Sequence, residues 1–271
     1  MKKQGASPYF FDKLSNDRGP SPAMLINFWG NLKELLRPPY RGQKRVAYQL
    51  TRQASVKDII EALGVPHTEV GRLIVAGQEI SFAAPGADAD TLDVYPLSPS
   101  VDVTIPTLLR PEPLPCVTFA VDMNVGKLAT LLRMAGFDTF YQNDISDPEL
   151  IEVAVRERRI LLSKDTDLLK RKGVVFGYLV REIYPERQLA EIVQLFGIKE
   201  QFKPLSRCLR CNGILQPVGK EEIIEQLEPL TKKYYDSFRQ CLGCGKIYWP
   251  GTHRDKMLLV LNRYGDYHTL D

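Results

Sequence analysis

The sequence predicts an α/β protein: a doubly wound parallel sheet in the middle of the chain, a smaller α+β unit before it, and a cysteine-rich segment after it. Three observations predict this. Between Val117 and Ile198, short apolar runs alternate with stretches whose apolar residues recur every three or four positions, as in a parallel sheet covered by helices on both faces. Upstream, strand-like runs surround one amphipathic stretch. Downstream, four of the five cysteines fall in two C-x2-C pairs.

Residues 1–21 are expected to form a flexible tail, since they carry three lysines but no apolar stretch of the kind a secretion signal needs. Residues 22–100 form the α+β unit. "MLINFWGNLKELL" reads as a strand, and "RVAYQLTRQASVKDIIEALG" as a second strand followed by a helix. Ser55 caps that helix, Val56, Ile59, Ile60 and Leu63 line one face, and Gly64 stops it. "GRLIVAGQEI" and "TLDVYPL" supply two later strands. Five prolines between Ser98 and Cys116 predict an extended spacer, with a domain boundary over residues 101–116.

Residues 117–200 hold the parallel sheet. "VTFAVD" is a buried strand ending in Asp122, and "NVGKLATLLRMAG" is a helix closed by Gly136. "FDTFYQN" is the next strand, "DPELIEVAVRER" a helix, "RILLSK" a strand, "DTDLLKRK" a short helix, "GVVFGYLV" a strand, and "PERQLAEIVQLFG" the last helix. Residues 201–271 carry the cysteines, with one helix, "EEIIEQLEPLTKKYYDSF", between the pairs.

Of the 271 residues, 44% are apolar and 25% charged, and the net charge is +3, so nucleic-acid binding has to rest on local patches. No apolar run approaches the ~18–20 residues that span a bilayer. A cytoplasmic protein that does not contact membranes is the expectation, and in a reducing compartment paired C-x2-C motifs point to metal.

In a parallel sheet, ligands bind at the carboxyl ends of the strands. Asp122 ends one strand, Asp165 and Asp167 follow another, and Asp147 follows the strand between them in sequence. Carboxylates meeting at one edge repel, and a hard divalent cation, Mg²⁺ or Mn²⁺, relieves that repulsion. Capping is the alternative for three of them: Asp147 before Pro148 fits a helix N-cap, and Asp165 and Asp167 fit the start of a helix. Lys127, Arg133, Lys164, Lys170, Arg171 and Lys172 lie beside the acids and suit backbone phosphates. Cys208, Cys211, Cys241 and Cys244 suit a closed, structural Zn²⁺ site, although the 29-residue spacer from Asn212 to Gln240 requires an inserted element. After them, Tyr248, Trp249, His253, Arg254 and Lys256 mix rings that stack on bases with cations that hold phosphates.

Two resemblances refine this. The β-β-α-β-β order of residues 22–100, with "GADADTLDVYPL", resembles the ubiquitin-like β-grasp domains of the sulfur-carrier type, but without their terminal Gly-Gly. "FAVDMNVGKLATLLRMAGFDTFY", "SDPELIEVAVRERRILLSKDTDLL" and "CLGCGKIYWPGTHRDKM" together resemble the PIN-like Mut-seven C-terminal RNase domain. This resemblance implies a PIN-like fold with a fused zinc ribbon, a ubiquitin-like companion domain, and divalent-metal ribonuclease chemistry at Asp122, Asp147, Asp165 and Asp167, with Asp122 and Asp165 as Mg²⁺ or Mn²⁺ ligands. Ser163 stands where the family's threonine is usual, and the acid common in the first helix of PIN nucleases has no counterpart here. The expected function is hydrolysis of RNA phosphodiester bonds in single-stranded, transfer or ribosomal RNA, with the β-grasp unit recruiting a protein partner. The alternatives are a non-catalytic RNA- or ribosome-binding protein with a degraded site, and an adaptor acting through the β-grasp unit.

Overall fold

A computed structural model describes residues 23–50, 52–86, 90–251 and 258–263. The expected tail, residues 1–21, lies outside them. β1 (Ala23–Phe28) pairs antiparallel with β2 (Arg45–Gln49) and parallel with β5 (Thr91–Pro96). β3 (Val70–Val75) pairs antiparallel with β5 and with the short β4 (Gln78–Glu79), giving the order β2-β1-β5-β3-β4. Helix α2 (Val56–Ala62) starts in a capping box, with Asp58 N donating to Ser55 Oγ at 3.2 Å and Ser55 N to the Asp58 carboxylate at 3.3 Å. Its Ile59 and Ile60 pack on Met24, Ile26, Phe28, Leu73, Leu92 and Val94. One expectation is corrected. "MLINFWGNLKELL" is not a single strand: Gly30 takes a φ of +57°, which breaks the extended chain, and Leu32–Leu35 forms the short helix α1.

The central sheet is parallel throughout. Its strands are β6 (Phe119–Val121), β7 (Thr139–Phe140), β8 (Ile160–Ser163) and β9 (Gly177–Leu179), in the order β7-β6-β8-β9. The two-residue period of a strand divides their side chains between two apolar layers. Phe119, Val121, Ile160, Leu162 and Tyr178 meet α3 (Gly126–Ala135) and α6 (Pro185–Phe196). Ala120, Leu161 and Leu179 meet α4 (Asp147–Arg156) and α5 (Thr166–Leu169). The strands are shorter than the apolar runs that foretold them. Gly136, at φ +100°, closes α3, and a Cβ there would lie 2.4 Å from the Lys203 carbonyl, so only glycine fits.

The proline-rich segment carries no helix or strand, yet it is packed. Val103, Leu109 and Leu114 are buried, and so is the charged Arg110. The Arg110 guanidinium reaches both neighbouring units: it donates to the Val70 carbonyl at 3.0 Å, to the Thr68 carbonyl at 2.9 Å and to the Val175 carbonyl at 3.3 Å. Beside it, the His67 ring lies between Glu61 Oε1 at 2.6 Å and the Val174 carbonyl at 2.5 Å. The Glu69 carboxylate accepts from Leu179 N at 2.7 Å and pairs with Arg181. The β3 end of the first unit therefore covers the edge strand β9, whose open side would otherwise present unpaired amides.

The third unit is an antiparallel sheet of β10 (Leu215–Val218), β11 (Phe238–Cys241) and β12 (Ile247–Tyr248). The single inserted helix that was expected is two: α7 (Lys220–Ile223) and α8 (Pro229–Tyr234). Pro229 forces Glu228 into an extended conformation (φ −64°, ψ 149°), which the helical backbone cannot accommodate. Among the described residues no helix is long and apolar enough to cross a membrane.

Candidate functional site

β6 and β8 are neighbours in register, Val121 beside Leu162, so Asp122 and Ser163 leave the sheet side by side. Asp122 is 6% exposed, and Ser163 is fully buried. Ser163 Oγ donates to Asp122 Oδ2 at 2.6 Å and accepts from Asp165 N at 2.9 Å. Asn124 completes the network: its Nδ2 donates to Asp122 Oδ2 at 2.5 Å, and its Oδ1 accepts from Lys164 N at 3.1 Å. The hydrogen-bond partners of the Asp122 carboxylate among the described residues are thus neutral. A buried carboxylate with neutral partners suits a cation, because its charge is otherwise uncompensated in a poorly solvated place.

The other acids stand further out. Asp165 caps α5, its Oδ1 accepting from Asp167 N at 2.7 Å. Asp167 is exposed and pairs with Lys170 at 3.1 Å. Asp147 is not the N-cap of α4. Ser146 takes that place, with Glu149 closing a capping box, and Asp147 and Pro148 fill the first two helical positions. Ser146 and Glu149 stand three apart, the spacing of that motif. Asp122 and Asp165 are joined through Ser163. The four carboxylates do not draw together into a group of three within 4.8 Å; among the described residues, the cysteines alone do.

The expected phosphate contacts separate. Lys127, Lys164, Arg171 and Lys172 are exposed. Arg133 is not available: it is 4% exposed, and its guanidinium donates to the carbonyls of Thr139 (3.0 Å), Leu209 (3.2 Å) and Arg210 (3.1 Å). A helical arginine beside an acidic edge looks like a phosphate ligand, but this one points to the opposite end of the sheet. Tyr248 is also engaged, accepting from Leu209 N at 3.0 Å and donating to Cys208 Sγ at 3.1 Å. Trp249 is partly exposed. His253, Arg254 and Lys256 lie outside the described residues.

Cys208, Cys211, Cys241 and Cys244 bring their sulfurs within 4.8 Å of one another, with Cys208–Cys244 at 3.6 Å and Cys211–Cys241 at 3.3 Å. A tetrahedron with Zn–S bonds of 2.3 Å has edges of about 3.8 Å, so the four residues fit a zinc ion. Gly213 makes room for this approach: a Cβ there would lie 2.8 Å from Cys241 Sγ. Burial pushes the Cys208 thiol up, but hydrogen bonds from the Tyr248 hydroxyl and from the amides of Cys211 and Arg210 outweigh it and hold the thiol at about 6. A thiol held low is a ready metal ligand.

The first cysteine pair is fastened to the amino-terminal end of the parallel sheet. Thr139 N donates to Asn212 Oδ1 at 3.0 Å, and Asn212 Nδ2 donates to Asp138 Oδ1 at 2.9 Å. Asp138 also pairs with Arg159 and, at 3.1 Å, with Arg207. Burial pushes the Asp138 carboxyl up, but its hydrogen bonds from Arg159 and Asn212 and the charges of Arg159 and Arg207 together hold it below its ordinary value of 3.8. A depressed carboxyl stabilises the fold above its ordinary pKa and loses that contribution as pH falls through the depressed value. Asp138→Asn is expected to cost about 1–3 kcal/mol at pH 7 and to flatten the loss of stability below about pH 4, measured by urea melts across pH. An acid limb as steep as that of the wild type would refute this role. Nothing in the sequence singled out Asp138, whose partners Arg159, Arg207 and Asn212 are distant in the chain, or the bond from Lys164 N to Asn124, which spans forty residues.

Comparison with known families bears on this geometry. Residues 117–261, more than half of the chain, match the Mut7-C RNAse domain, and residues 21–102 match the Mut7-C ubiquitin domain. No curated protein and no solved structure matches. The parallel α/β sheet with its buried Asp122, the four-cysteine cluster and the β-grasp unit thus stand within the matched spans, and the chain belongs to the Mut7-C RNAse domain family, with a Mut7-C ubiquitin domain ahead of the RNAse domain.

Proposed function

We propose that this protein is a divalent-metal-dependent ribonuclease that hydrolyses single-stranded RNA at the carboxyl edge of a PIN-like sheet. One observation carries the reading: Asp122, buried at the end of β6 in an RNAse-family domain, has neutral hydrogen-bond partners. Asp122 and Asp165 would hold Mg²⁺ or Mn²⁺, with Asp147 and Asp167 as outlying acids. When bound, the metal supplies charge at the phosphodiester and activates water. Ser163 and Asn124 fix the Asp122 carboxylate through Oδ2, and the exposed Lys127 and Lys164 hold backbone phosphates nearby. The four-cysteine ribbon, with structural Zn²⁺, braces the far end of the sheet, and the β-grasp unit offers a surface for a protein partner.

The test is cleavage of single-stranded RNA with Mg²⁺ or Mn²⁺ by wild type, Asp122→Asn and Asp165→Asn. Losing a metal ligand should slow cleavage by at least about 10²-fold for Asp122→Asn, since the metal's contribution is several kcal/mol. Equal activity in all three proteins would remove this site from consideration. A second reading, an RNA-binding protein with a degraded site, is favoured by the spacing of the acids and by Asp165 serving as a helix cap. Salt-sensitive RNA binding without turnover would select it.

A further inference from the structure

After β9 the chain runs Arg181-Glu182-Ile183-Tyr184 into α6. Because β9 is parallel to β8 and β6, this turn stands at the same carboxyl edge as Asp122. Val180 N donates to the Ser163 carbonyl at 2.8 Å, which ties the two strand ends together. From β6 across β8 to β9 is two strand spacings, roughly 10 Å.

Side chains from α6 hold the turn rigidly. The Glu191 carboxylate accepts from Arg181 N at 3.1 Å, Glu182 N at 3.1 Å and the Tyr178 hydroxyl at 2.8 Å. Gln188 Nε2 donates to the Glu182 carbonyl at 3.0 Å. Glu69 fixes the base of the turn through Leu179 N and Arg181. Yet the two large side chains at its tip point outward, Ile183 75% and Tyr184 62% exposed. Arg187, one turn into α6, places its guanidinium 5.7 Å from the centre of the Tyr184 ring. Met123, next to Asp122, is also exposed.

An exposed tyrosine on a held backbone, with a guanidinium beside it, is the arrangement that stacks on a nucleobase while a cation meets the adjoining phosphate. We propose that Tyr184, with Arg187, is a stacking platform for an unpaired base of the RNA strand crossing the Asp122 edge. This rests on the ribonuclease reading and adds to it a residue that positions the substrate: a strand lying over Asp122 and running across β8 brings a neighbouring base to Tyr184. The same arrangement selects unpaired over duplex RNA, since a base inside a duplex has both faces stacked on its neighbours.

The test is binding of a labelled single-stranded RNA of about 12 nucleotides to the full chain, loaded with zinc and without added Mg²⁺ or Mn²⁺. Tyr184→Ala should weaken binding about tenfold, the effect of losing one stacked base, whereas Tyr184→Phe should stay within about twofold. Oligonucleotides with a single abasic position, moved along the strand, supply the second measurement. At one position the missing base should weaken wild-type binding about tenfold and leave the Tyr184→Ala protein unaffected. Wild-type binding that Tyr184→Ala leaves unchanged, or an abasic scan with no such position, overturns the platform alone. A wild-type chain that binds no RNA overturns the ribonuclease reading and the platform with it.

Discussion

Once zinc is bound at the four cysteines, as proposed, its removal is expected to unfold the ribbon and leave the parallel sheet folded. The apolar support of the ribbon is small: Cys208, Leu215 and Cys241 with Tyr248 in one cluster, and Ile223, Leu227 and Phe238 in another. Clusters of this size cannot hold about fifty residues against their conformational entropy. A structural zinc contributes about 10–16 kcal/mol in comparable small sites, more than either apolar cluster can supply. Chelation, or Cys208→Ser, should therefore bring the amides of β10 and β11 to near-complete hydrogen exchange. A smaller effect should appear at Thr139, whose amide donates to Asn212 Oδ1. Exchange left unchanged after metal analysis shows the zinc gone would contradict the structural role.

Arg110→Ala is expected to lower stability by about 3–5 kcal/mol and to loosen the β-grasp unit from the RNAse sheet. Burial pulls the Arg110 guanidinium down to about 10, with Glu69 opposing, so it remains charged at neutral pH. Alanine would leave the carbonyls of Thr68, Val70 and Val175 without this donor and take a countercharge from the buried Glu69. Burial pushes the Glu69 carboxyl up, and Arg181 opposes it, so Glu69 is sensitive to the loss of any neighbouring cation. Arg110→Lys should not restore the loss, because one ammonium cannot reach three carbonyls in the planar array of a guanidinium. Thermal melts should fall by several degrees, and limited proteolysis should cut faster within residues 98–116, which the buried Val103, Leu109, Arg110 and Leu114 pin down in the wild type. Wild-type melting together with an uncut segment would show that Arg110 does not hold the units together.

Some of these features were legible in the sequence for local reasons. Ser55 and Asp58 stand at capping-box spacing, and α2 begins there. Gly136 closes α3 because the chain needs a left-handed residue at that point. Each C-x2-C pair is a local turn legible from its spacing, and the pairing of β10 with β11 then brings the two turns together. Where local signals competed, the reading failed. Ser146 displaced Asp147 as the cap of α4 because it has Glu149 three residues on, and Pro229 divided a stretch whose polarity suggested one helix.

By itself the sequence determined the alternation that makes the central sheet parallel, the positions of Asp122, Asp165 and Asp147 beyond its strands, and the cysteine spacing. These follow from the two- and 3.6-residue periods and from turn chemistry, which act over a few residues. Only the tertiary structure decided that Arg133 is buried beneath the Cys208–Cys211 turn, that Tyr248 serves Cys208, and that Arg110 joins two units through a segment that reads as a spacer. It also placed Tyr184 outward at the Asp122 edge. The physical reason is the same in each case. Whether a charged or aromatic side chain meets water or protein depends on backbone carbonyls and strand ends contributed from elsewhere in the chain, and no local periodicity encodes their arrival.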